Sequence, residues 1–170
     1  HPNHNEINKF LRDRHDNAMI DEDLKKILDT FPKAAHPMGI LSSLTSALIA
    51  FNPTKKISLI KDEIELKNYE YGLIVKLLAK IPILVSWVHR KRNGLPLDYG
   101  NYNLGYVENI TKMMFQRPHQ DYFQNDIVVS AMNKLLILHA DHEQNCSTST
   151  VRIVGSSEAS LFASVSAGIS

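Results

Sequence analysis

Two stretches of this chain are apolar around nearly the whole circumference of a helix: residues 37–51, PMGILSSLTSALIAF, and residues 127–138, IVVSAMNKLLIL. A helix of that kind cannot lie on a solvated surface. Any fold must therefore bury both, either in the middle of a domain or against another subunit. Pro37 suits a first helical position, where its missing N–H costs nothing. Gly39, Ser42, Ser43, Ser46 and Ala50 are small enough to let a second helix approach closely. A chain of 170 residues can build a substantial core, yet covering both stretches within it is difficult, and exposed apolar patches mark interfaces. The pattern predicts self-association through helices 37–51 and 127–138.

The remaining sequence also reads as helix. Ile7, Phe10 and Leu11 give a short apolar stripe, and the histidines around it, His1, His4 and His15, read as surface residues. Asp21 is an N-cap candidate for a helix with Leu24, Ile27, Leu28 and Phe31 inward, ended by Pro32. His36 precedes Pro37 and reads as a hydrogen-bonded structural histidine. Residues 57–80 are amphipathic, with Ile60, Ile64, Tyr71, Ile74, Leu77 and Leu78 predicted inward and Pro82 predicted to break or kink the helix. The apolar run 83–88 then leads to His89-Arg90-Lys91-Arg92, cations that complement a helix C-terminus, and to an Asn93-Gly94 turn. Asn103 can cap a helix over 104–115, and Asn125 or Asp126 the next. No strand alternation persists anywhere, so the expected class is all-α with seven or eight helices.

Composition removes several functions. Nineteen Lys and Arg against 18 Asp and Glu leave a net charge of +1, too little for a field that would attract nucleic acid or an anionic membrane. No run approaches the roughly 18 apolar residues of a membrane span, and the N-terminal residues lack a signal-peptide core. Cys146 is the single cysteine, so no internal disulfide can form, which fits a reducing cytoplasm. From residue 144 to 170 there are only two charges, Arg152 and Glu158, with abundant Gly, Ala and Ser. That composition predicts tightly packed helices and a continuation beyond Ser170.

The densest chemistry lies in residues 135–152, LLILHADHEQNCSTSTVR. His139 and His142 stand three apart and share a face if the helix begun near Asp126 continues that far. The hydroxyls after Asn145 bond to backbone or ligand more readily than they continue a helix, so the segment reads as a helix C-terminus opening onto a polar pocket. Spacing alone leaves three readings open. A metal site at His139, Asp141, His142 and Glu143 has no HExxH or CxxC companion. A nucleophile reading pairs Cys146 with His142, although a cysteine on an apolar-looking helix is more often inert packing. The third is a pair of histidines satisfied in a helix junction.

Here the sequence resembles the citrate synthase family. Residues 137–157, ILHADHEQNCSTSTVRIVGSS, are nearly the bacterial family motif, and HPMGILSSLTSALIAFNP at 36–53, KIPILVSW at 80–87 and GYVENITKMMF at 105–115 follow the family's order. The resemblance spans nearly the whole chain. It implies a multihelical large domain of which residues 1–170 are the N-terminal part, ahead of the family's catalytic GPxHGGAN motif, with the small domain and the C-terminal part absent. It also implies condensation of acetyl-CoA with oxaloacetate to citrate and CoA, with acetyl-CoA a co-substrate and no cofactor or metal. By this resemblance His142 binds oxaloacetate, Asn145 lines the pocket behind it, and Ser147 orients the histidine that stabilises the enol. His139 is a weaker, structural candidate. The family's catalytic histidines, aspartate and arginines match nothing in these 170 residues, so the chain alone is expected to be inactive. The 37–51 helix matches one that the family places in its dimer contact, and some members assemble further. Lys76 and Lys80 fall at basic positions of an NADH site found in some bacterial members, but Asn52 replaces a tyrosine and Asp16-Asn17-Ala18 replaces Arg-His-Thr. The relative that uses propionyl-CoA to make 2-methylcitrate, and a non-catalytic helical scaffold, are the alternatives.

Overall fold

The computed structural model describes residues 2–140 and 143–170. The described residues form eight α-helices and no strand: α1 His4–Asp16, α2 Asp23–Thr30, α3 Pro37–Phe51, α4 Glu63–Arg92, α5 Tyr106–Phe115, α6 Asp126–Ala140, α7 Cys146–Gly155 and α8 Leu161–Ile169. A single 3-10 turn, Ile57–Leu59, precedes α4.

α4 is the axis of the molecule. It packs against α1, α3, α5 and α8, while α3 also touches α2 and α8, and α7 lies on α8. Trp87 and Leu84 of α4, Leu44 and Leu48 of α3, Leu24 and Leu28 of α2 and Phe162 of α8 are buried together. Trp87 also donates its indole N–H to the Asp98 carbonyl at 2.8 Å, so the largest core side chain carries no unpaired polar atom.

Several helix ends differ from the sequence reading. α2 begins at Asp23, with Glu22 at the cap position in place of Asp21, whose carboxylate still accepts from the Asp23 N–H at 2.9 Å. α5 begins at Tyr106 rather than after Asn103, because Glu108 reaches back to the Gly105 N–H at 2.7 Å and ties off the first turn there. Asn125 does cap α6, accepting from Ile127 and Val128. His36 is the predicted structural histidine, its Nδ1 accepting from the Met38 N–H at 3.3 Å.

The predicted inward face of α4 is partly wrong. Leu77 is buried, but Ile64, Ile74 and Leu78 are exposed, and the core is instead made by Leu73, Val75, Ile83, Leu84, Trp87 and Val88. Nor does Pro82 end the helix, which runs unbroken for 30 residues. By length and apolar content α4 could cross a membrane, contrary to the sequence reading. However, 61% of its most apolar window is buried inside the fold, so it is a core helix that needs apolar surface on several sides.

The basic cluster does more than complement its own helix. Buried Arg90 donates through Nη1 to the carbonyls of Met113 at 2.7 Å and Gln116 at 2.9 Å, at the end of α5, and through Nε to Pro96. Lys91 donates to Leu28 at the end of α2, and Arg92 to Ala35 at 2.8 Å. Carbonyls at the C-terminal ends of two neighbouring helices thus accept from cations of a third.

The two all-apolar helices fare differently. α3 buries Ile40, Leu41, Leu44 and Leu48 inside the chain. α6 buries nothing, and Ile127, Ile137 and Leu138 are 81%, 66% and 66% exposed.

Candidate functional site

The segment with most of the chemistry joins α6 to α7. His142, the residue expected to bind oxaloacetate, and Asp141 lie outside the described residues. His139 stands on the last turn of α6, exposed, with Nδ1 2.7 Å from the Leu135 carbonyl. Since a carbonyl only accepts, Nδ1 donates this bond. That bond holds the ring along its own helix.

The hydroxyl block is helical, against expectation. Asn145 is the N-cap of α7, accepting from the Thr148 N–H at 2.8 Å through Oδ1. Within α7 the Ser149 hydroxyl donates to the Asn145 carbonyl and Thr150 to the Cys146 carbonyl, both at 2.9 Å. These bonds to the carbonyl four residues back let hydroxyl residues occupy a helix interior without losing their own partners. With Oδ1 engaged in the cap, Asn145 keeps its amide Nδ2 as donor at a helix N-terminus whose dipole favours an anion. Ser147 is exposed on the first turn of α7.

Cys146 is exposed rather than packed, because it sits on the first turn of α7, on a helix that buries none of its residues. Arg152, to which the sequence reading gave no role, donates to Gln144 Oε1 at 3.2 Å, and Gln144 in turn donates to the Ser149 hydroxyl at 3.1 Å. This brings a guanidinium up against the N-terminal turn of α7. The eight-residue spacing from Gln144 to Arg152, about two helical turns, is the signal for it.

What positions α7 is α8. A Cβ at Gly168 would lie 2.6 Å from Val151 Cγ2 and 3.1 Å from the Ser147 carbonyl oxygen, so the two helices meet at a distance that only glycine allows. α8 is held in turn on α3 by a reciprocal pair. The Ser42 hydroxyl donates to the Ser166 carbonyl at 2.9 Å, and the Ser166 hydroxyl to the Ser42 carbonyl at 2.8 Å. The small residues after Gln144 thus do pack tightly, though on α8 rather than on α7. A cavity of about 380 Å3 opens elsewhere, between the start of α3 and the end of α4, lined by Met38, Val88, His89 and Met114. No residue of the 139–150 segment lines it.

The site so described is an amide, a hydroxyl and a guanidinium around a helix N-terminus. Such a set can orient a carboxylate. Comparison with known proteins gives this set its context. The family model described as "Citrate synthase, C-terminal domain" matches residues 1–170. The citrate synthase of Corynebacterium glutamicum is 42% identical over 168 residues, covering 99% of this chain and 37% of that protein. Citrate synthase 1 of Mycobacterium tuberculosis H37Rv is 41% identical over 168 residues, covering 99% of this chain and 38% of its own. The crystal structure of citrate synthase from Pyrobaculum aerophilum superposes with a TM-score of 0.86 at 26% identity, covering 99% of this chain and 41% of that one. The chain thus spans well under half the length of these relatives, and its eight helices follow their helical fold. It belongs to the citrate synthase family.

Proposed function

We propose that the protein to which these 170 residues belong condenses acetyl-CoA with oxaloacetate to give citrate and free CoA. The observation that carries the reading is 42% identity to a citrate synthase along 99% of this chain, with ILHADHEQNCSTSTVR intact at the α6–α7 junction. In this reading His142 hydrogen-bonds oxaloacetate, Asn145 offers its amide to the same substrate, and Ser147 fixes the orientation of a histidine supplied from outside the 170 residues. The chain contributes binding and orientation. The groups that enolise the thioester come from elsewhere in the protein, so the 170 residues alone are inactive, since positioning and acid–base groups act as a unit.

The same reading makes the protein a cytoplasmic homodimer that buries residues 37–51 and 127–138. The exposed apolar row on α6 supports it, as such surface in a stable protein is normally covered. A stable monomer at micromolar concentration in sedimentation would remove the dimer from the proposal.

The deciding experiment is release of CoA by the full-length protein, with oxaloacetate and either acetyl-CoA or propionyl-CoA. Turnover with acetyl-CoA exceeding that with propionyl-CoA is expected. Faster turnover with propionyl-CoA would make the protein a 2-methylcitrate synthase, and no turnover with either would leave a helical scaffold.

A further inference from the structure

Arg14 of α1 is 5% exposed, with its guanidinium carbon 5.4 Å from the Tyr106 ring centre. Its Nε–H has no hydrogen-bond partner among the described residues, and neither does the hydroxyl of Tyr102. Arg14 and Tyr102 line one small enclosed cavity together with Leu78, Pro82 and Asn109. Pro82 has no N–H, so the Leu78 carbonyl four residues earlier lacks its helical donor. The Arg14 Nε–H and the Tyr102 hydroxyl are therefore both left over around one space of about 10 Å3 that Leu78 also lines, the lower limit for a single water.

We propose that one buried water occupies this cavity, accepting from Arg14 Nε, donating to the Leu78 carbonyl and bonding the Tyr102 hydroxyl. A water is the one small ligand whose two donors and two acceptors match all three groups. An anion would suit the guanidinium but would be repelled by the carbonyl, and it would find less room. A dry cavity would leave each group with its full desolvation penalty. The water clasps α1 and the loop before α5 to the central helix.

A high-resolution crystal structure of the protein tests this directly. A single spherical peak within about 3.2 Å of Arg14 Nε, Tyr102 Oη and the Leu78 oxygen is expected. An empty cavity overturns the proposal, and so does a peak that behaves as chloride under halide exchange. Tyr102→Phe supplies a second reading. With the water present it removes a bond and raises the unfolding constant about three- to tenfold. In a dry cavity it removes an orphaned hydroxyl and lowers that constant, which overturns the proposal. If Tyr102→Phe does not fold, the wild-type density decides alone.

Discussion

Asn145 carries two duties that one pair of substitutions can separate. Its Oδ1 caps α7 through the Thr148 N–H at 2.8 Å, and its Nδ2 is the group that the proposed function turns toward oxaloacetate. Asn145→Ala removes both. Loss of an N-cap bond of this kind costs about 1 kcal/mol, a fall of about 1 °C in Tm for a full-length protein more than twice the size of this chain. Asn145→Asp keeps the cap, because an aspartate accepts equally well and its charge favours the helix N-terminus. Stability should then change by less than about 0.5 kcal/mol. The new carboxylate, however, faces a dicarboxylate substrate. At about 5 Å and an effective dielectric near 20, like charges repel by about 3 kcal/mol, on the order of a hundredfold in oxaloacetate KM. Thermal unfolding and steady-state kinetics of the full-length protein read the two effects separately. An unchanged oxaloacetate KM in Asn145→Asp would reduce Asn145 to a cap, and an unchanged Tm in Asn145→Ala would refute the capping argument.

Three further outcomes follow from the packing. Arg90→Met should destabilise by about 3–5 kcal/mol in denaturant titration, because it strands the Met113 and Gln116 carbonyls in the interior; a loss under about 1 kcal/mol would mean that water reaches those carbonyls. Gly168→Ala should cost about 1–3 kcal/mol by overpacking against Val151 and the Ser147 carbonyl, and should weaken oxaloacetate binding by tilting α7, an effect absent if α7 is positioned otherwise. Burial raises the Tyr102 pKa from 10 to about 12, so above pH 10 the unfolded chain loses this proton while the folded one retains it. Stability should therefore fall between about pH 10 and 12, and Tyr102→Phe should flatten that fall; an identical slope in the variant would contradict the burial.

The helical class, the capping of α3 by His36-Pro37 and of α6 by Asn125, and the family motif at the α6–α7 junction were all legible in the sequence. Each is local: a cap and a proline constrain the backbone within one turn, and a motif is a string. The burden of α3 and α6 was legible too, since an apolar circumference does not depend on what covers it. What the sequence could not decide is which neighbour answers each demand. Pro82 reads as a break, and only the structure shows α4 continuing through it, packed on α1, α3, α5 and α8. Ile64, Ile74 and Leu78 fit an inward stripe, but the neighbours of α4 arrive from α1, α3, α5 and α8 at angles that one helix's periodicity cannot specify. The hydroxyls of 147–150 looked like loop because their helical alternative depends on bonds to the carbonyl four residues back and on α8 approaching at Gly168. The cations of 89–92 were assigned to their own helix end. Tertiary structure sent Arg90 to α5 and Lys91 to α2, because a long flexible donor bonds whichever orphan carbonyl the fold brings within reach.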